Sequence, residues 1–142
     1  MQIYILSPSK SETVTQLPAI LVNKLALEIC QMAYTTVWIL SSDASLSVQD
    51  LQSAYANPLH PLHLACAQET LSPYKPTHPN APHCLWMRES RANLAWACKL
   101  ALRMCTHYTA ARKRAHACEP HLRFLYRICE EDALRLPWDR PA

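Results

Sequence analysis

The chain has 142 residues, half of them hydrophobic and 18% charged, with a net charge of +3 and no glycine. That length can bury a genuine core, and the apolar content with few charges excludes a disordered chain. The missing glycine argues against a hairpin-rich sheet, because tight hairpins recruit glycine for left-handed backbone. It predicts an all-α bundle of four to six helices, one domain over residues 1–142, punctuated by Pro, Ser and Asn.

In chain order, Gln2 to Leu6 reads as a short extended apolar segment, and Ser9 with Glu12 has capping-box spacing for a brief turn. Pro18 suits the first position of a long helix reaching about Leu40. On it Leu21, Leu25, Glu28, Met32 and Ile39 fall near one another, while Lys24, Glu28 and Gln31 form a polar strip at i, i+4 and i+7. Such a strip is either solvated surface or the wall of a site. Ser47 with Asp50 opens a second helix to about Ala56, which Asn57-Pro58 ends. A third spans His60 to Thr70 and carries H-x-x-H-x-x-C at His60, His63 and Cys66; this spacing matches no strong zinc pattern, so no metal or cofactor is expected.

The stretch from Tyr74 to Trp96 organises the rest. Pro76, Pro79 and Pro82 stiffen a loop that can hold Lys75 and His78 in place. A helix follows, whose first turns hold Trp86, Arg88, Glu89 and Asn93. Arg88 and Glu89 point about 100° apart, so one can face a site while the other braces it. Ser90 to Arg112 is the strongest helical pattern, with Leu94, Cys98, Ala101, Leu102 and Cys105 as its apolar stripe. Glu119-Pro120 reads as the cap and first position of a last helix to about Leu136, buried through Leu122, Leu125, Tyr126 and Cys129, with Trp138 docking the tail.

Charge is uneven along the chain. Residues 86–127 hold nine basic residues against Glu89 and Glu119, a net +7, whereas the segments on either side are each −2. Lys99, Arg103, Arg112, Lys113, Arg114 and His116 could therefore contact a nucleic-acid backbone, with a solvated helix face as the alternative. Seven cysteines without a C-x-x-C pair read as buried, reduced thiols of a cytoplasmic protein. MQIYIL lacks the basic start of a signal peptide, and no apolar run is long enough to span a membrane.

The string YKPTHPNAPHCLWMRES, with Asn93, Trp96, Tyr108-Thr109 and His116 after it, resembles a family of small phage-encoded proteins. Their pattern runs roughly Y-K-x-T-H-x-N-H-P-x-x-x-W-x-R-E-S-x-x-N-x-x-W, and Lys24, Glu28 and Gln31 match its earlier K-x-x-x-E-x-x-Q. The family is loosely related to phage pyrimidine-dimer DNA glycosylases and DNA-modifying enzymes. Where it usually has C-D-K-H this chain has Pro18-Ala19-Ile20-Leu21, and Ala81 and Ala111 replace a His and a basic residue.

The resemblance implies a DNA-acting enzyme in the cytoplasm of an infected bacterial host. It would act on a damaged or modified pyrimidine, as a glycosylase or lyase or as a transferase hypermodifying the base with a small-molecule co-substrate. Such enzymes extrude the base and grip its flanking phosphates. Glu28, His78 and Glu89 would then supply acid–base chemistry, and Lys24, Gln31, Tyr74, Lys75, Trp86, Arg88 and Asn93 would bind the substrate. A helical DNA- or protein-binding module without catalysis is the alternative. Lys24, Glu28 and Gln31 are expected to face His78, Arg88, Glu89 and Asn93 across one pocket, with Arg88 pairing Glu28 and Glu89 pairing Lys24.

Overall fold

The computed structural model describes residues 19–42, 47–132 and 134–138. The opening apolar segment, the Ser9–Glu12 turn and Pro18 lie outside the described residues. Six helices are present among those described, and no strand: α1 (Ala19–Leu40), α2 (Val48–Ala56), α3 (Pro61–Gln68), α4 (Pro82–Glu89), α5 (Arg91–Arg112) and α6 (Glu119–Glu131). The all-α bundle expected from the glycine-free composition is the observed architecture. No described helix is long and apolar enough to cross a membrane.

α1 is the central element. It packs most extensively on α5, which in turn carries α6, and α4 leans on both α1 and α5. The first half of α1 is two-faced: Lys24 and Leu27 are exposed, Glu28 and Gln31 half-buried, and Val22, Leu25, Ala26 and Ile29 buried. From Met32 to Leu40 every residue is buried, the mark of a helix enclosed on all sides. Thr35 and Thr36 survive there because their hydroxyls return to carbonyls one turn back, Gln31 O at 3.0 Å and Met32 O at 2.9 Å. The polar strip stops at Gln31 because the enclosure begins at the next residue.

Capping residues set most boundaries. The Ser47 side chain accepts from Asp50 N to start α2, and Asn57 ends it. His60 caps α3 through Nδ1, which accepts from Leu62 N at 3.1 Å, and Pro61 takes the first helical position. The helix expected to run on from the proline loop is broken at Ser90. That residue is extended (φ −154°, ψ 156°), and its hydroxyl accepts from Asn93 N to start α5 afresh. Arg88 and Glu89 therefore close α4, and Asn93 belongs to the next helix.

The last helix also differs from expectation. Cys118 is its N-cap, with Glu119 at the first position and Pro120 at the second, and it ends at Glu131 rather than near Leu136. Asp132 takes a left-handed conformation there (φ 48°), which stops the helix. Phe124 and Ile128 join Leu122, Leu125 and Cys129 in the core, while Tyr126 is only half-buried. Trp138 packs against the core, although its indole Nε1 is buried without a partner among the described residues. All seven cysteines are buried, unbridged thiols.

Candidate nucleic-acid interface and polar junction

The proline loop is fastened lengthwise to the enclosed half of α1. Trp38 Nε1 donates to Tyr74 O at 2.8 Å. One turn earlier, Thr35 Oγ1 accepts from Thr77 N at 3.0 Å, and its single proton is shared between Gln31 O and Thr77 O, at 3.0 and 3.1 Å. Pro76 and Pro79 carry no N–H, so few loop donors need partners and one threonine can hold the crossing. His78 follows in the left-handed region (φ 47°) with its side chain exposed, and its carbonyl accepts from Ala81 N at 3.1 Å. That turn delivers Pro82 to the first position of α4.

Arg88 locks the turn from behind. It is only 5% exposed. Its guanidinium donates to Pro79 O at 2.6 Å and to Cys84 Sγ at 3.7 Å. Cys84 in turn lies 3.5 Å from Thr36 Oγ1, and burial pushes its thiol pKa up. Arg88 thus serves the loop and α4 rather than Glu28, the partner expected for it. The loop–α4 junction and α1 do come together, but through Thr35, Thr36 and Cys84.

Around this junction the predicted residues divide. Glu28 and Gln31 are half-buried at the edge of the open half of α1, with Lys24 exposed beside them. Lys75 and His78 are exposed on the loop, and Glu89 is half-buried. Asn93 donates through Nδ2 to Trp86 O at 2.8 Å, so it braces the α4–α5 break. Trp86 is 36% exposed and meets Trp96 edge-on, ring centroids 5.8 Å apart.

Tyr74 faces inward. Its ring lies 5.3 Å from Tyr34 and 4.6 Å from His121, and its hydroxyl lies 3.5 Å from Cys118 Sγ. Burial first, then Cys118, pushes the Tyr74 hydroxyl pKa up. Cys118 is the more acidic thiol of its pair with Cys30, drawn down chiefly by hydrogen bonding from Cys30 and further by Tyr74 and His116. Sequence patterning did not single out this cluster of Tyr34, Cys118 and His121, and the position of Cys118 directly before Glu119-Pro120 was its one available signal.

The H-x-x-H-x-x-C motif is used in three separate ways. His60 caps α3, His63 Nε2 lies 2.6 Å from Tyr55 O, and Cys66 is buried. Trp38 packs against both histidine rings, at centroid distances of 4.8 and 5.1 Å. Burial, with His63 adding to it, lowers the His60 pKa and favours the neutral ring that its capping role requires. Beside this cluster a cleft of about 450 Å³ opens between Tyr55, Pro58, His63, Leu71 and Pro73.

The basic segment falls into two parts. Lys99, Arg103 and Arg112–Arg114 are exposed, with Lys99 Nζ 5.2 Å above the Tyr126 ring. Arg123 and Arg127 are drawn to Glu119 and Glu69. His116, grouped with the backbone contacts on sequence, is instead 5% exposed. Its Nδ1 accepts from Cys118 N at 3.0 Å, which leaves Nε2 to donate to Asn23 O at 3.3 Å. His116 therefore anchors the basic corner after α5 to the open half of α1, next to Lys24.

No protein-family model, curated protein or solved structure matches the chain.

Proposed function

We propose that this protein acts on DNA in the manner of the phage base-modifying enzymes it resembles. It grips phosphates with the basic corner Arg112–Arg114 and with Lys99 and Arg103, and it treats a damaged or modified pyrimidine at the polar edge formed by Lys24, Glu28, Gln31 and the His78 turn. The observation that carries this reading is the His116–Asn23 hydrogen bond. It sets an exposed cationic corner at the same end of the bundle as the Lys24–Gln31 strip, so a strand held by one passes the other.

The reaction is a glycosylase or lyase cleavage, or a transfer to the base from a small-molecule co-substrate. Glu28 is the acid–base group on α1, and His78 and Glu89 are its counterparts across the junction. A second reading, a DNA-binding module without catalysis, draws support from Arg88, which is committed to Pro79 and Cys84, and from Ala81 and Ala111.

Binding and chemistry are tested separately. Changing Arg112, Lys113 and Arg114 together to Ala should weaken DNA binding and flatten its salt dependence by roughly one unit of slope per lost phosphate contact. An unchanged slope in a titration from low to moderate salt would return the run to a solvated helix end. For the chemistry, modified phage DNA is incubated with the protein and its nucleosides are analysed by mass spectrometry. Glu28→Gln should abolish any conversion while changing stability by no more than about 0.5 kcal/mol. Conversion at the wild-type rate in Glu28→Gln would remove Glu28 from the reaction.

A further inference from the structure

α5 presents to solvent a stripe of Trp96, Lys99 and Arg103, residues on one side of the helix by their spacing, and Lys113 follows just past the helix end, where it caps α5 in a left-handed conformation. Lys99, Arg103 and Lys113 are exposed and Trp96 is half-buried. At its start α4 adds Trp86, 36% exposed and set at 86° to the Trp96 ring. On the α6 side the Tyr126 ring lies beneath Lys99. Glu130 is the acid near this path, close enough to help raise the Lys99 pKa after the larger effect of Tyr126.

Exposed indole and neighbouring cations ask for different things from a ligand. Cations seek phosphates, which both duplex and single strands supply. An exposed tryptophan face gains by stacking on a base, and in a duplex the base faces are already stacked on one another. Only an unpaired strand offers both on one path. We infer that this stripe is a track for single-stranded nucleic acid, with its phosphates along Lys99 and Arg103 toward Lys113 at the helix end, and one base against the Trp86–Trp96 pair.

From Trp96 to its end at Arg112 the helix rises about 24 Å, room for the roughly four nucleotides at the short end of known single-strand sites. The inference rests on the DNA-acting reading and narrows its substrate to unpaired or locally opened DNA. A base must leave the stack before any group on the protein can reach it, so a strand already open lowers that cost.

The test uses the full chain, fluorescein-labelled oligothymidylate of about 12 nucleotides and a duplex of equal length, followed by anisotropy and by intrinsic tryptophan fluorescence. The single strand should bind on the order of tenfold more tightly and quench tryptophan emission. Trp86→Ala should remove about tenfold of single-strand affinity and most of the preference, and the Lys99→Ala, Arg103→Ala double variant should lower the salt slope by about one to two units. Trp86→Leu, which keeps apolar contact but lacks a π face, serves if the alanine variant melts early by circular dichroism.

Equal affinity for both forms, or full single-strand affinity in the Trp86 variants, overturns the track. If the Arg112–Arg114 variant still loses DNA binding in that case, the proposed function stands without it. If neither form binds and an acidic protein occupies the stripe instead, both fall.

Discussion

Trp38→Ala is expected to destabilise the fold by about 3–5 kcal/mol, the range for removing a fully buried aromatic from a core. Trp38 has no exposed surface. It touches Tyr55 of α2, His60 and His63 at α3, and through Nε1 the carbonyl of Tyr74. One side chain therefore joins the end of α1 to both short helices and to the proline loop, and the hole it leaves cannot be closed by moving any one of them. Urea denaturation followed by circular dichroism measures the loss. Trp38→Phe, which restores most of the volume but leaves Tyr74 O without its donor, should cost about 1–3 kcal/mol. If Trp38→Ala cost less than about 1 kcal/mol, the loop and the two helices would not depend on this contact.

Arg88→Met carries the second large effect, about 2–3 kcal/mol. The substitution keeps much of the side-chain bulk and removes the charge-assisted hydrogen bond to Pro79 O, so the cost is mainly that of a partly buried carbonyl left without its donor. The damage should appear first in the loop. Hydrogen exchange at Thr77 N, protected by Thr35 Oγ1, should speed up more than exchange within α5. The same variant separates two roles for Arg88. A brace loses stability when removed, whereas a substrate-facing arginine would leave stability intact and remove DNA binding or turnover instead.

Much of the fold was legible from local signals. Ser47 with Asp50, Asn57-Pro58 and the apolar spacing of Leu94, Cys98, Ala101 and Cys105 locate α2 and α5 because capping and periodicity act within a few residues. The pattern from Ser90 to Arg112 located α5 to within a residue, but that the helix of Trp86, Arg88 and Glu89 stops there and Asn93 lies beyond it was not legible until the Ser90 hydroxyl is seen to cap Asn93 N. The early end of α6 turns on the left-handed Asp132, where no glycine flags the stop.

The site was less legible than the fold. That the proline loop meets α1 could be argued from the Lys24–Glu28–Gln31 strip and the polar loop. Which groups meet could not, because Thr35 and Thr77 lie 42 residues apart and Arg88 finds a carbonyl rather than a carboxylate. His116 reads as one more basic residue of a cationic run. Its burial against Asn23, 93 residues away, follows from the antiparallel packing of α1 and α5.

The absence of glycine also acts on the unfolded chain. Each position that carries a Cβ where a homologous design would place glycine narrows the denatured ensemble, by about 0.4–1 kcal/mol per site. Folding this chain therefore forfeits less backbone entropy than its loop content implies. The opposing cost falls on the native state, where Thr70, His78, Lys113, Asp132 and Arg135 hold left-handed backbone that favours glycine, at about 1 kcal/mol each. Three of the five sit at turns closing α3, α5 and α6, and a fourth orients the loop at the polar junction. Those turns draw their stability from a poorer random coil as much as from their own hydrogen bonds.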